Sequence, residues 1–351
     1  MKLVSFNVDT PVGRLNRLGV LMDGQEGGIA DLTSTFAAYL ASETDETMPY
    51  ELANLRTPPD MIGWLRGGHK SRQALDKAMA YLQKRLAKDS ALLGPKRERL
   101  LFNRSEVRLL APLPRPRSIR DFGVFEDHYS RAGMGYEKKS PIWYRWPPYY
   151  KGNPDSVIGP EDPIPFPYYT KKLDLELEIA IVIGREGRNL TFEQARDHIG
   201  GYTIFIDCSA RDGFEREPFG PTKRKDFCNV LGPCLVTADA IDEANLNVRV
   251  IVDGETWFEG NTGHRRTFLA YHLVAYTSDN ETLYPGDILG TGAIGLSCSM
   301  DLHRWVNVGQ TVTFEVEGIG SLTHKIIEGE RVVDYTLKGM EGLLKPPSPE
   351  S

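Results

Sequence analysis

At 351 residues, the chain can form one large domain, or one domain with a smaller companion. Its 48 acidic residues outnumber 42 basic ones, and the resulting net charge of −6 argues against a general nucleic-acid binder. A hydrophobic share of 40% supports a sizeable core, and no apolar run approaches the roughly 18 residues of a membrane span.

In chain order, Lys2–Val8, Leu18–Met22 and Gly28–Asp31 read as short strands, and Leu32-Thr33-Ser34 caps a helix through Leu40. Thr57-Pro58-Pro59-Asp60 opens another helical stretch, and Ser71 to about Lys88 carries Ala, Leu and Met at helical spacing. Together these make a small α+β N-terminal unit over residues 1–110. Ala111-Pro112-Leu113-Pro114-Arg115-Pro116-Arg117 is a linker by composition. It opens a larger unit, 111–345, followed by a short tail, 346–351. If Arg120–His128 is helical, Phe122 and Phe125 share a side while Asp121 and Glu126 fall on different faces. Pro141 to Tyr150, dense in aromatics and proline, reads as a long loop of the kind that is usually functional. From Asp174 onward strands dominate: Leu175–Ile183, Gly201–Ile206, Cys234–Thr237, Asn247–Val252, Gly286–Gly290 and Thr311–Val316. Thr191 to His198 is a short helix opened by a capping box, and Thr267 to Tyr276 is another. Asp253-Gly254 fits a hairpin turn. The expected class is α+β, mainly β.

Leu173-Asp174-Leu175-Glu176-Leu177-Glu178-Ile179 alternates apolar and acidic residues without a break. In a strand, residues two apart share a face, roughly 7 Å from one another. Asp174, Glu176 and Glu178 then line up, and the run continues straight into the apolar Ala180-Ile181-Val182-Ile183. Carboxylates entering a core need a partner, and a hard divalent cation is the natural one. A solvated strand face is the alternative, open at this level. Asp207 ends the apolar strand Tyr202–Ile206 and could join Glu176 and Glu178 as a third oxygen ligand. That set suits magnesium, with manganese or calcium as substitutes. A cap on the following turn is the lesser alternative for Asp207.

Other chemistries leave little trace. The cysteines Cys208, Cys228, Cys234 and Cys298 form no CxxC pair. The Met1–Phe6 start lacks a signal-peptide core, so a reducing cytoplasm with free thiols is expected. There is no GxxxxGK[ST], GxSxG or HExxH. Gly290-Thr291-Gly292-Ala293-Ile294-Gly295 matches GxGxxG, but no helix signal follows it. A turn, or a place where backbone meets ligand, is the better reading. Lys223-Arg224-Lys225 is a local basic run that suits an anionic small molecule. His128 follows an acidic cluster and could act as a general base.

Six segments in order resemble the fumarylacetoacetate hydrolase family: RDFGVFEDH at 120–128, LDLELEIAIVIG at 173–184, GGYTIFIDCSARD at 200–212, KDFCNVLGP at 225–233, YPGDILGTG at 284–292 and VGQTVTFEVEGIGSL at 308–322. The resemblance implies a mixed β-roll with a distorted barrel-like core, a homodimer, and a divalent metal held by Glu176, Glu178, Asp207 and Asp121. It implies His128 as base on a mobile lid, Lys225 beside the metal, and Arg120, Arg211, Phe214, Gly292 and Ala293 at substrate positions. Asp174 is not a ligand in that pattern. The activity implied is hydrolytic carbon–carbon cleavage of an acylpyruvate or related β-diketone, leaving an enolate stabilised by Lys225 and the metal.

Two departures stand out. Arg131 occupies a position where some members carry the carboxylate partner of the base, so Glu126, Asp127 or Asp301 is expected to replace it. Ala293 stands where threonine is usual. Together with Phe214 and Pro218, it points to an apolar or bulky acyl group. The alternatives are decarboxylation, isomerisation or hydration of a 2-oxoacid at the same site, or a non-catalytic metal-binding protein. A small-molecule oxoacid or diketone is the expected partner, with no nucleic acid and no membrane.

Overall fold

A computed structural model describes residues 1–11, 13–22, 28–87, 92–131, 141–212 and 221–330. Two sheets carry the fold. Along the larger, hydrogen-bonded neighbours run Leu101–Asn103, Gly28–Asp31, Gly13–Leu21, Lys2–Thr10, Asn229–Thr237, Ile199–Ala210, Leu173–Ile183, Asp287–Gly290, Ser118–Phe122 and Tyr149–Gly152. The smaller orders Glu255–Asn261, Asn247–Val252, Thr311–Val316, Gly320–Glu328 and Ile164–Phe166. The class is mixed and mainly β, as expected. Both sheets are open paths and do not close into a barrel.

The Leu173–Ile183 strand is buried along its whole length, which excludes a solvated acidic face. Leu173, Leu175, Leu177, Ile179, Ile181 and Ile183 join one core cluster with Ile204, Ile206 and Val230. On the opposite face Ala180 and Val182 join a second cluster with Leu32, Phe36, Trp64 and Leu75 from the N-terminal helices. Those helices therefore cover one end of the face, and the acidic residues occupy the other. Each buried Leu or Ile contributes about 1.5–3 kcal/mol. The apolar row thus offsets a carboxylate desolvation cost of several kcal/mol per ion.

The N-terminal strands extend the same sheet, with Lys2 opposite Val236 and Leu3 opposite Leu235. The hairpin at Asp253-Gly254 forms, with positive φ of 49° and 85° at its two central residues. Two expectations change. Residues 120–128 are not one helix: Ser118–Phe122 is a strand, parallel to Asp287–Gly290, and the helix is Glu126–Arg131. The aromatic stretch is not all loop either, since Tyr149–Gly152 pairs antiparallel with Ser118–Phe122. Pairing partners distant in sequence decided both. Among the described residues, no helix is long and apolar enough to cross a membrane. The 346–351 tail lies outside the described residues.

Candidate active site

Three strands bring the acidic residues together. Glu176 lies opposite Asp207 in register, and Asp121 pairs with Gly290, which also faces Ala180. Asp121, Glu178 and Asp207 are buried and present carboxylate oxygens within 4.8 Å of one another. Asp121 Oδ1, Glu178 Oε1 and Asp207 Oδ1 accept no hydrogen bond among the described residues. Burial, and then the Asp121 charge, push the Glu178 carboxyl well above its ordinary range. Burial likewise raises Asp207 and Asp121 against the pull of Lys225. Three buried carboxylates with bare, converging oxygens fit a divalent cation, which would supply the missing positive charge.

Gly290 makes this cradle sterically feasible. A Cβ there would lie 2.7 Å from both Asp121 Oδ1 and Glu178 Oε2. Gly292, at φ +84°, donates its N–H to Glu178 Oε2 at 2.8 Å. The GxGxxG stretch thus leaves the Asp287–Gly290 strand as irregular backbone that meets a carboxylate.

Glu176 faces the cationic side. Its Oε2 accepts from Lys225 Nζ at 2.6 Å and from Ser209 Oγ at 3.1 Å. Its Oε1 lies 2.5 Å from Arg211 Nη2 and 3.1 Å from His128 Nε2. Burial raises this carboxyl, but Arg211 and Lys225 outweigh it and hold Glu176 well below the usual range. Lys225 also contacts Asp207, so its ammonium joins the two halves of the site. Of the four expected ligands, three converge, and Glu176 sits beside them across Lys225.

His128 is buried on the Glu126–Arg131 helix, and its Nδ1 lies 2.7 Å from Asp301 Oδ2. Burial alone would lower its pKa, but the Asp301 charge and hydrogen bond raise it well above the ordinary value. Glu126 does not reach it. Two residues apart on a helix means about 200° of rotation, and Glu126 instead accepts from Arg265 Nε at 2.8 Å and from the Tyr144 hydroxyl. The expectation for Glu126 is corrected in favour of Asp301.

The site opens into a cavity of about 230 Å³ walled by Phe122, Tyr129, Tyr149, Tyr150 and Ala293. Arg211, Arg224 and Lys225 line it as cations, and Gly292 borders it. Arg211 also donates Nε to Asp174 Oδ2 at 2.7 Å. Arg120 is not brought in. With Asp121 facing the site, its neighbour on the strand points away, and its guanidinium bonds Ser118 Oγ at 2.6 Å and Glu281. Phe214 and Pro218 lie outside the described residues. Sequence reading missed Tyr150, which lies opposite Asp121 in register. The three-residue separation of Cys298 and Asp301 was the available signal for another missed group, because Cys298 Sγ lies 3.2 Å from Asp301 Oδ2.

The family description "Fumarylacetoacetate (FAA) hydrolase C-terminal" matches residues 118–327. The mitochondrial oxaloacetate tautomerase fahd2 of Xenopus laevis is 32% identical over 234 residues, covering 65% of this chain and 70% of that protein. In fold, the chain is similar to maleylpyruvate hydrolase from Sphingobium sp. SYK-6 in complex with manganese(II) and pyruvate. The TM-score is 0.65 at 23% identity, over 94% of this chain and all (100%) of that one. It is also similar to 2-hydroxyhepta-2,4-diene-1,7-dioate isomerase from Mycobacterium marinum, with TM-score 0.61 at 22% identity, over 94% and 100% of the two chains. With the match spanning more than half its length and all the site strands, this chain belongs to the fumarylacetoacetate hydrolase family.

Proposed function

We propose that the chain is a divalent-metal-dependent hydrolase that cleaves a carbon–carbon bond in an acylpyruvate or related β-diketone. The observation that carries this reading is the buried His128–Asp301 pair, whose second imidazole nitrogen meets Glu176 at the cavity. Asp121, Glu178 and Asp207 would hold the ion, with Glu176 as the fourth carboxylate beside them and magnesium or manganese as the ion of choice. When bound, the ion would supply Lewis-acid polarisation of the substrate's carbonyl oxygen.

The residues of the chain do the rest. Asp301 accepts from His128 Nδ1 and turns Nε2 toward the cavity, where the neutral imidazole takes a proton from water. The water oxygen attacks the acyl carbonyl, and the bond to the pyruvate carbon breaks. Its electron pair passes into the pyruvate enolate, which takes up a proton to give pyruvate. Lys225, Arg211 and Arg224 supply positive charge where the enolate and carboxylate sit. A cavity of 230 Å³ is below the drug-sized range and suits a small metabolite. Its aromatic wall favours an apolar acyl tail.

A second reading is favoured by the similarity to an oxaloacetate tautomerase. The same His128 would then take a proton from the substrate carbon and return it to the enol oxygen, without admitting water to the bond. Turnover of acylpyruvates and oxaloacetate with magnesium or manganese in oxygen-18 water separates the two. Hydrolysis places one heavy oxygen in the released acid. Enol–keto exchange of oxaloacetate without cleavage supports the tautomerase, and no turnover of either substrate sinks both.

A further inference from the structure

Asp174 belongs to neither half of the site, yet it is fully buried on the acidic strand, at 0% exposure. Its Oδ2 accepts from Arg211 Nε at 2.7 Å. Its Oδ1 accepts backbone N–H groups from Leu175 at 2.9 Å, Ser299 at 2.6 Å and Met300 at 3.4 Å. Ser299 and Met300 open the one-turn helix Ser299–Leu302, whose own N-cap residue, Cys298, offers no side-chain hydrogen bond. A helix that short does not hold itself, because nucleation costs more than one turn returns. Its orphan N–H groups are met instead by a carboxylate 125 residues earlier in the chain. The third residue of that turn is Asp301, which meets His128.

We propose that Asp174 is a positioning residue: by seating the Ser299–Leu302 turn on the acidic strand, it places Asp301 against His128 Nδ1. This rests on the reading of His128 as the base, while the geometry beneath it is independent of substrate. Arg211 fixes the Asp174 carboxylate from the other side and also touches Glu176. The carboxylate set that would hold the ion and the dyad that would move the proton are thereby referred to one strand.

The test follows the His128 Nδ1–H resonance in protein labelled with nitrogen-15 at histidine, assigned by its loss in Asp301→Ala. In Asp174→Ala the resonance should shift or disappear, while manganese affinity stays within about threefold and KM changes little. The kcat should fall at least about tenfold, and Asp174→Ala should cost nothing further in an Asp301→Ala background. If Asp174→Ala does not fold, Ser299→Pro is the second variant. It deletes the N–H that Asp174 receives, at a first-turn position where proline is tolerated, and the same loss is expected. An unchanged resonance in whichever variant folds, or additive losses in the double variant, overturns the proposal. If wild type turns over no oxoacid or diketone, the functional reading fails, while the resonance still decides the positioning role.

Discussion

Asp301 Oδ2 lies 2.7 Å from His128 Nδ1, and both side chains are buried. The pair links the Glu126–Arg131 helix to the Ser299–Leu302 turn across 173 residues of sequence. A carboxylate on Nδ1 fixes the imidazole tautomer and orientation and leaves Nε2 toward the cavity. Asp301→Asn keeps the shape and loses the charge, so kcat should fall about 10²- to 10⁴-fold with KM little changed. Glu126→Gln, which disturbs the contacts to Arg265 and Tyr144, should cost less than about tenfold. Steady-state kinetics on an acylpyruvate check both, and equal losses would return Glu126 to the dyad.

Glu178 carries a bare oxygen among like charges. Without metal, Glu178→Gln replaces a carboxyl that burial and the Asp121 charge push well above its ordinary range, and should raise stability by about 1 kcal/mol. The same change should abolish the stabilisation that manganese confers on wild type. That stabilisation should reach about 2.7 kcal/mol at a hundredfold excess over Kd. Thermal melts with and without manganese or a chelator read both effects. A variant that is still stabilised by manganese like wild type would exclude the carboxylate cluster as the ion site.

Gly290→Ala tests the cradle by steric means. The new Cβ would sit 2.7 Å from Asp121 Oδ1 and Glu178 Oε2, so at least one of these carboxylates must move. Manganese affinity measured by calorimetry should fall at least about tenfold, and stability should drop by about 1–3 kcal/mol. Gly254→Ala, at φ +85° but with open space around the new Cβ, should leave metal affinity intact.

His324 gives a stability change on acidification that is independent of the site. Its Nδ1 donates to the Asp162 carbonyl at 2.7 Å, and its buried Nε2 has no hydrogen-bond partner among the described residues. Burial lowers its pKa more than the Asp162 carbonyl restores it. The unfolded chain therefore binds the proton more readily. The His324 contribution is fully present above the unfolded value, about 6.5, and is lost as pH falls through the lower folded value. His128, whose pKa is raised, acts in the opposite sense. Urea midpoints at pH 7.5 and 5.5 should thus fall further in wild type than in His324→Gln, and equal slopes would contradict the assignment.

Much of the carboxylate side of the site was legible in the sequence. The period of two over 173–179 puts three acids on one face of a strand, and Asp207 closes an apolar run. Local alternation carries that information, since each side chain's face follows from its neighbours alone. The Gly290 cradle was visible as a motif, but its meaning was not. Only the parallel pairing of Ser118–Phe122 with Asp287–Gly290 brings Asp121 against it.

The division of labour among the acids was a tertiary decision. By sequence, Asp174, Glu176 and Glu178 are equivalent members of one row. In the fold, Glu178 turns to Asp121 and Asp207, Glu176 to Lys225, Arg211 and His128, and Asp174 to a helical turn 125 residues away. The partner of His128 was likewise open among Glu126, Asp127 and Asp301, because helical rotation and a long-range contact choose between them. Sequence thus determined that carboxylates enter the core on one strand face, because backbone periodicity is local. Tertiary structure decided what each one holds, because buried charges are assigned by whichever cations and N–H groups the folded chain brings within reach.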